Sequence, residues 1–189
     1  MPDKKRILLL ASGAGSLAKA IFEAHKSGAM DIDIVGVISD NDAPVLALAK
    51  EYGVDSHLIS MQSDRNEWDR ALLAKVSELG PDLIVSVGFM RILSAQFVKD
   101  FRVINTHPAL LPNFPGAHAV RDALAAGVSE TGTTVHWVDE GVDTGEVINQ
   151  VKVPIIPGDS EEVLHERIKI AERALIVETL HKYAKTGSL

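Results

Sequence analysis

Residues 6–26 read RILLLASGAGSLAKAIFEAHK, and three regimes follow one another within that stretch. Residues 6–11 are an unbroken apolar run, residues 12–16 are small and glycine-rich, and residues 17–26 put Leu17, Ile21 and Ala24 on one helical face. A short apolar run without alternation suits a strand buried on both faces. Strand, glycine turn and helix in that order open a parallel α/β unit.

Outward from there the pattern recurs. Residues 31–39 (DIDIVGVIS) are strand-like, Pro44 suits the first turn of a helix running to about Tyr52, and residues 54–58 form a short strand. Ser63 is the expected N-cap of a helix over 64–79, which Gly80 and Pro81 stop. Residues 82–89 (DLIVSVGF) read as another buried strand, and a further apolar run ends at Asn105-Thr106-His107. Residues 131–139 (TGTTVHWVD) alternate, as a strand with one wet face does. Residues 147–155 (VINQVKVPI) are the expected partner in an antiparallel edge hairpin, and Ser160 opens a long C-terminal helix to about Lys185. The chain is therefore expected to be α/β, with a mostly parallel sheet flanked by helices on both faces. Without repeat, low-complexity segment or linker, residues 1–189 are expected to form one domain.

Composition narrows the function classes. A 46% hydrophobic, 24% charged chain is an ordinary globular one. The absence of cysteine excludes disulfides, a thiol nucleophile and cysteine zinc sites. No histidine pair has metal-ligand spacing with a third ligand, so no metal is expected. The net charge of −7 disfavours nucleic acid as a partner, while leaving room for a local basic pocket. The start, Met1-Pro-Asp-Lys-Lys-Arg, leads into an apolar run too short for a signal peptide or a bilayer span. A cytoplasmic protein without a membrane partner is the expectation.

In an open parallel sheet, ligands bind beyond the carboxyl ends of the strands, near the point where strand order reverses. Three stretches should lie on that edge: residues 12–16, 88–93 and 105–116. The first, GAGSLA from Gly13, formally matches G-x-G-x-x-A, and Asp40 stands where a dinucleotide site wants an acid. Three readings stay open: a nicotinamide cofactor, a simpler phosphate-bearing ligand on free N–H groups at a helix start, or a structural turn. The second, GFMRIL from Gly88, sets Arg91 among apolar residues, as a surface arginine or as one side of an apolar slot for a flat heterocycle.

The third stretch, NTHPALLPNFPG, places Asn105 and His107 on the same side of an extended segment. Such a pair either finishes a structural corner or stabilises a developing oxyanion. Pro108, Pro112 and Pro115 remove three donors and stiffen the backbone that follows. In the acidic loop 139–146 (DEGVDTGE), Asp143 lies between Val142 and the small Thr144-Gly145, so it is expected to fold toward His107. A carboxylate there would favour a charged, oriented imidazole. Ser12 and Ser16 lack a nucleophile-elbow context, so direct transfer between two bound substrates is favoured over a covalent intermediate. His118 remains open as a substrate-side residue. His136 reads as packing or support, His25, His57, His165 and His181 as surface or helix positions, and Trp68 and Trp137 as core or strand-face residues.

The stretches GFMRIL, NTHPALLPNFPG, TGTTVHWVDEGVDTG and PIIPGDSEEVLHERIKIAER, in this order and spacing, closely resemble the phosphoribosylglycinamide formyltransferases. The resemblance runs from Ile7 to about Tyr183. It implies a Rossmann-like formyltransferase fold and transfer of a formyl group from 10-formyltetrahydrofolate, as cosubstrate, to the amine of glycinamide ribonucleotide in purine biosynthesis. It implies a catalytic set of Asn105, His107 and Asp143. Substrate phosphate and ribose would fall to Gly13, Gly15, Ser16, Leu17, Lys169 and Glu172. The folate would fall to Phe89, Met90, Arg91, Ile92, Leu93, Asn105, Val138, Val142 and Asp143. The partners implied are these two small molecules, in a monomer or homodimer. The family loop often reads G-N-G-S-N-L; here Ala14 and Leu17 replace two polar side chains, leaving backbone N–H groups and Lys169 to carry the phosphate.

Formyltetrahydrofolate hydrolases and methionyl-tRNA formyltransferases resemble the same core. The first carries an extra N-terminal domain and the second a C-terminal one. A first strand at Arg6 and a chain end at Leu189 predict neither appendage. A nicotinamide-dependent oxidoreductase is the rival from another class, and a non-catalytic folate- or nucleotide-binding module is a third.

Overall fold

The computed structural model describes residues 4–61 and 63–189; Met1, Pro2, Asp3 and Gln62 lie outside them. Seven strands form one sheet in the order β3-β2-β1-β4-β5-β6-β7. The strands are β1 (Lys5–Leu10), β2 (Ile32–Ser39), β3 (Ser56–Leu58), β4 (Leu83–Ser86), β5 (Val103–His107), β6 (Glu130–Trp137) and β7 (Val147–Pro154). Strands β1 to β5 pair in parallel, and β6 is antiparallel to both β5 and β7. The mostly parallel sheet with an antiparallel edge hairpin is thus as the residues predict.

The opening stretch sits at the centre of this sheet for a physical reason. Ile7, Leu8, Leu9 and Leu10 are all fully buried, each contributing about 2 kcal/mol by removal from water. Side chains alternate along a strand. Ile7 and Leu9 therefore join a core with helices α1 (Ser16–Lys26), α2 (Pro44–Glu51) and α6 (Glu161–Thr186) on one face. Leu8 and Leu10 join Trp68, Leu72 and Val76 of α3 (Arg65–Leu79) and Phe97 of α4 (Ala95–Asp100) on the other. A smaller cluster of Val120, Val153, Leu164 and Ile168 seats α5 (Ala119–Ala125) beside β7 and α6.

Some local expectations give way to the structure. The N-cap of α3 is Asp64, not Ser63: its carboxylate accepts from Asn66 N at 2.8 Å, and the helix starts at Arg65. Aspartate and serine cap about equally well, so the helix start at Arg65 decides which of the two neighbours serves. Strand β4 ends at Ser86 rather than Phe89, because Gly88 (φ 79) turns the chain and sends Phe89 to stack on Trp68. Strand β3 begins at Ser56, two residues later than Val54. The long C-terminal helix is capped by the Ser160 hydroxyl on Val163 N and closes on Gly187 in a left-handed conformation.

Strand order reverses between β1, whose helix leads outward to β2, and β4 on its other side. The carboxyl ends of β1, β4 and β5 therefore open on one edge, with β6 and α6 walling it.

Candidate active site

That edge holds a cleft of about 640 Å³. All of the residues assigned by sequence to a site line it: Gly13 to Leu17, Phe89 to Leu93, Asn105, His107, Val138, Val142, Asp143, Lys169 and Glu172. His118 does not; it is exposed at the start of α5.

One side of the cleft is the glycine loop. Gly15 adopts φ 80 as the residue before α1, with no side chain capping the helix. The first N–H groups of α1 are therefore open to an anion. A Cβ at Gly15 would lie 2.6 Å from Val45 Cγ2, so glycine is required there by space as well as by backbone. Leu17 is buried in the core, so only its backbone N–H can serve a ligand. Lys169 lies on α6, paired with the exposed Glu166 at 2.7 Å.

Glu172 occupies the buried stripe of α6, between Ile168 and Leu175. Burial pushes its carboxyl above the ordinary value, against the smaller opposing effects of the Thr106 hydroxyl, Lys169 and Arg173. A carboxyl group in an apolar stripe at the wall of a cleft is costly to keep there.

The opposite side is apolar. Met90 and Ile92 are exposed and Leu93 is buried, and Val142, also exposed, lines the same cleft. Arg91 is no free surface arginine: its Nε donates to Asp40 Oδ2. Asp40 Oδ1 receives Asn41 Nδ2. With both oxygens taken, Asp40 has no simple means of holding a ribose diol, which removes the acid that the dinucleotide reading needs.

Between these sides lies a polar cluster at the end of β5. His107 is 4% exposed. Its Nε2 donates to the Phe114 carbonyl at 2.8 Å, while Nδ1 faces Asp143 Oδ2 at 3.3 Å. Both ring nitrogens thus face oxygen acceptors, and only the doubly protonated ring donates to both. Asp143 is fixed from behind by Gly116 N, 2.8 Å from Oδ2. Its loop is stapled by Asp139 Oδ1, which accepts from Gly141 N (3.0 Å) and the Thr144 hydroxyl (2.7 Å). Burial disfavours the Asp143 carboxylate, but the His136 ring, the Gly116 N–H and the His107 ring together outweigh it and hold its pKa below the ordinary value.

Asn105 and His136 are cross-strand partners in the β5–β6 register, and Asn105 Nδ2 lies 3.3 Å from His136 Nε2. His136 Nδ1–H donates to the Trp137 carbonyl at 2.8 Å. The other nitrogen, Nε2, also lies 3.6 Å from Asp143 Oδ1. From sequence His136 reads as packing or support and His165 as a surface or helix position; His165 is on α6, and both also line the cleft. The signal for His136 was its register opposite Asn105, which only the sheet supplies. For His165 it was helical spacing, one turn before Lys169. Burial, then Lys169, lowers the pKa of His165.

The proline-rich segment is held rigid by a buried hydroxyl. Thr134 Oγ1 donates to Ala109 O at 2.6 Å and accepts from Leu111 N at 3.1 Å and Gln150 Nε2 at 2.9 Å. Among the described residues no group of three acidic or histidine side chains is placed to hold a metal ion, and no helix is long and apolar enough to cross a membrane.

Residues 5–180 match the formyl transferase family. The chain is 46% identical over 186 residues to a phosphoribosylglycinamide formyltransferase of Mycobacterium tuberculosis (strain CDC 1551 / Oshkosh), covering 96% of this chain and 86% of that one. It is 40% identical over 174 residues to the phosphoribosylglycinamide formyltransferase of Escherichia coli (strain K12), covering 89% and 82%. Among solved structures, glycinamide ribonucleotide transformylase 1 from Symbiobacterium toebii superposes with a TM-score of 0.93 at 36% identity, over 98% of this chain and 90% of that one.

Proposed function

The chain belongs to the formyl transferase family, and on that footing we propose that it transfers a formyl group from 10-formyltetrahydrofolate to the amine of glycinamide ribonucleotide. The observation that carries the reading is the convergence of Asn105, His107 and Asp143 between an anion-ready helix start and an apolar slot. The ribonucleotide phosphate sits on the backbone of Gly13, Gly15, Ser16 and Leu17, with Lys169 released from Glu166 to meet it. An exposed lysine pair of this kind is weak and readily exchanged. Glu172 accepts from the ribose hydroxyls. The pterin enters the slot formed by Phe89, Met90, Arg91, Ile92 and Leu93, closed by Val138 and Val142. The same reading implies a cytoplasmic monomer or homodimer with no nucleic-acid partner.

In this mechanism the amine nitrogen attacks the formyl carbon. The new C–N bond forms as the carbonyl π pair moves onto oxygen. Asn105 Nδ2–H donates to that oxygen, and the His107 imidazolium stabilises it by charge. The oxyanion competes with the Phe114 carbonyl for the His107 Nε2–H. Asp143 orients the imidazole through Nδ1 and receives the amine proton, directly or through water. Collapse then breaks the bond to N10 of the folate, which takes up a proton, and the formyl group leaves on the ribonucleotide. Preorganised donors of this kind are the largest single source of rate enhancement in acyl transfer.

The test is to incubate the protein with 10-formyltetrahydrofolate, with and without glycinamide ribonucleotide, and to follow release of tetrahydrofolate. Release that requires the ribonucleotide is expected. Release without it would make the protein a hydrolase, and no release in either arm would leave it a binding module.

A further inference from the structure

Asp40 closes β2 and is 3% exposed, yet it touches neither the polar cluster nor the proposed positions of the two substrates. Its partners lie on both substrate loops. Arg91, in the middle of the apolar slot, donates Nε to one oxygen, and Asn41 Nδ2 donates to the other at 3.1 Å. Asn41 Nδ2 also donates to the carbonyl of Ser12, the residue that leads into the glycine loop, at 3.0 Å. Ser12 then reaches back to the slot: its hydroxyl accepts from Met90 N at 2.9 Å, and its own N–H donates to Gly88 O at 3.0 Å. Residues 12, 40, 41, 88, 90 and 91 thus form one hydrogen-bonded knot that ties the lead-in to the glycine loop to the apolar slot.

A buried carboxylate is expensive unless its partners are fixed and complete. Here they are complete. Burial works against the charge, but the Ser12 hydroxyl and Arg91 outweigh it, and the Asp40 pKa lies below the ordinary value. An ionised Asp40 holds Arg91 inward, which sets the backbone of Met90 and Ile92, and holds Ser12, which sets the entry to Gly13.

We propose that Asp40 is a positioning residue shared by the two substrate sites, keeping the glycine loop and the apolar slot in their ligand-ready geometry through Ser12 and Arg91. The proposal rests on the assignment of those loops to the ribonucleotide and the folate. Without the knot, each loop must be ordered by its own ligand, so the cost falls on binding. The polar cluster at Asn105, His107 and Asp143 is untouched, so the chemical step is preserved.

The experiment is Asp40→Asn, which keeps the shape and removes the charge. Steady-state kinetics with each substrate varied should show KM raised about tenfold for both, in the range typical of energetic coupling between sites, with kcat within about threefold of wild type. A residue that only stabilises the fold would lower the urea midpoint and leave both KM values in place; that outcome overturns the proposal, as does a rise in one KM alone. If Asp40→Asn does not fold, Arg91→Met, at an exposed position, takes its place. The ribonucleotide KM must then rise although Arg91 lies on the folate side, and an unchanged value overturns the proposal. Wild-type turnover tests the functional reading separately. Should wild type show none, thermal shifts of wild type and Asp40→Asn with tetrahydrofolate and with ribose 5-phosphate decide. Smaller shifts with both probes in the variant support the knot, and equal shifts overturn it.

Discussion

Phe114 and Asp143 hold opposite nitrogens of one imidazole, and they are the two non-glycine residues with positive φ among those described, at 52° and 55°. Left-handed backbone at such residues costs on the order of 1–3 kcal/mol and persists where surrounding structure over-determines it. Here two independent strained turns, one in the proline segment and one in the acidic loop, aim an oxygen at each side of His107.

Asp143→Asn follows from that geometry. Asparagine adopts the left-handed region readily, so the turn should survive while the charge facing His107 is lost. Turnover should fall about a hundredfold or more, the usual size of a positioned proton-transfer group, with little change in the urea midpoint. Asp143→Ala should lose the same activity and also about 1 kcal/mol of stability from backbone strain. Because the Asp143 pKa is depressed, its stabilising contribution is complete above the ordinary carboxylate value of 3.8 and is lost as pH falls through the folded value. Acid denaturation should therefore be shallower in Asp143→Asn than in wild type, and identical profiles would contradict the charge assignment.

Asn105→Ala removes the proposed oxyanion donor. Loss of one such donor costs about 3–4 kcal/mol of transition-state stabilisation, or a hundred- to a thousandfold in kcat, with KM little changed. Near-wild-type turnover in this variant would remove Asn105 from the chemistry.

The long elements, and the three loops that meet at one sheet edge, were legible in the sequence because each rests on local information. The unbroken run at residues 6–11, the alternation at 131–139 and the hydroxyl cap at Ser160 speak for themselves. Helices α4 and α5 did not show, since six and seven residues fall short of two turns and carry no period to detect. The end of β4 was hidden because Val87 and Phe89 are as apolar as the strand before them, and only the backbone angle of Gly88 turns the chain. Which of packing or support His136 provides was hidden for a different reason. Its neighbours in sequence are apolar, and its neighbour in space, Asn105, is set by the register of two antiparallel strands. Asp40 stood at the end of the second strand as a dinucleotide acid would, and only the position of Arg91 assigns it elsewhere.

The two glycines of the phosphate loop should separate binding from folding. A Cβ at Gly13 meets nothing within 4 Å, whereas one at Gly15 meets Val45 at 2.6 Å on a backbone with φ 80. Gly15→Ala should destabilise the protein by about 2 kcal/mol through overpacking and strain. Gly13→Ala should leave the urea midpoint unchanged but raise KM for glycinamide ribonucleotide and not for the folate, because the added methyl occupies space on the cleft side only. Equal stability losses in the two variants would show that the loop is set by something other than the Val45 contact.

Glu172 offers a test in which stability and function move in opposite directions. Burial raises its folded pKa above 4.5. As pH rises past that value the unfolded chain gives up its proton first, so the folded state binds more protons and stability falls with pH. The loss accumulates from about 4.5 up to the folded pKa. Glu172→Gln has no proton to lose, so its urea midpoint should decline less than that of wild type between pH 4.5 and neutrality. If Glu172 accepts from the ribose hydroxyls, the same variant should raise KM for the ribonucleotide about tenfold or more, since a neutral amide is a weaker acceptor than a carboxylate. A more stable variant with weaker ribonucleotide binding is the expected pair. Stability gained with KM unchanged would mean that the buried carboxyl serves something other than the ribose.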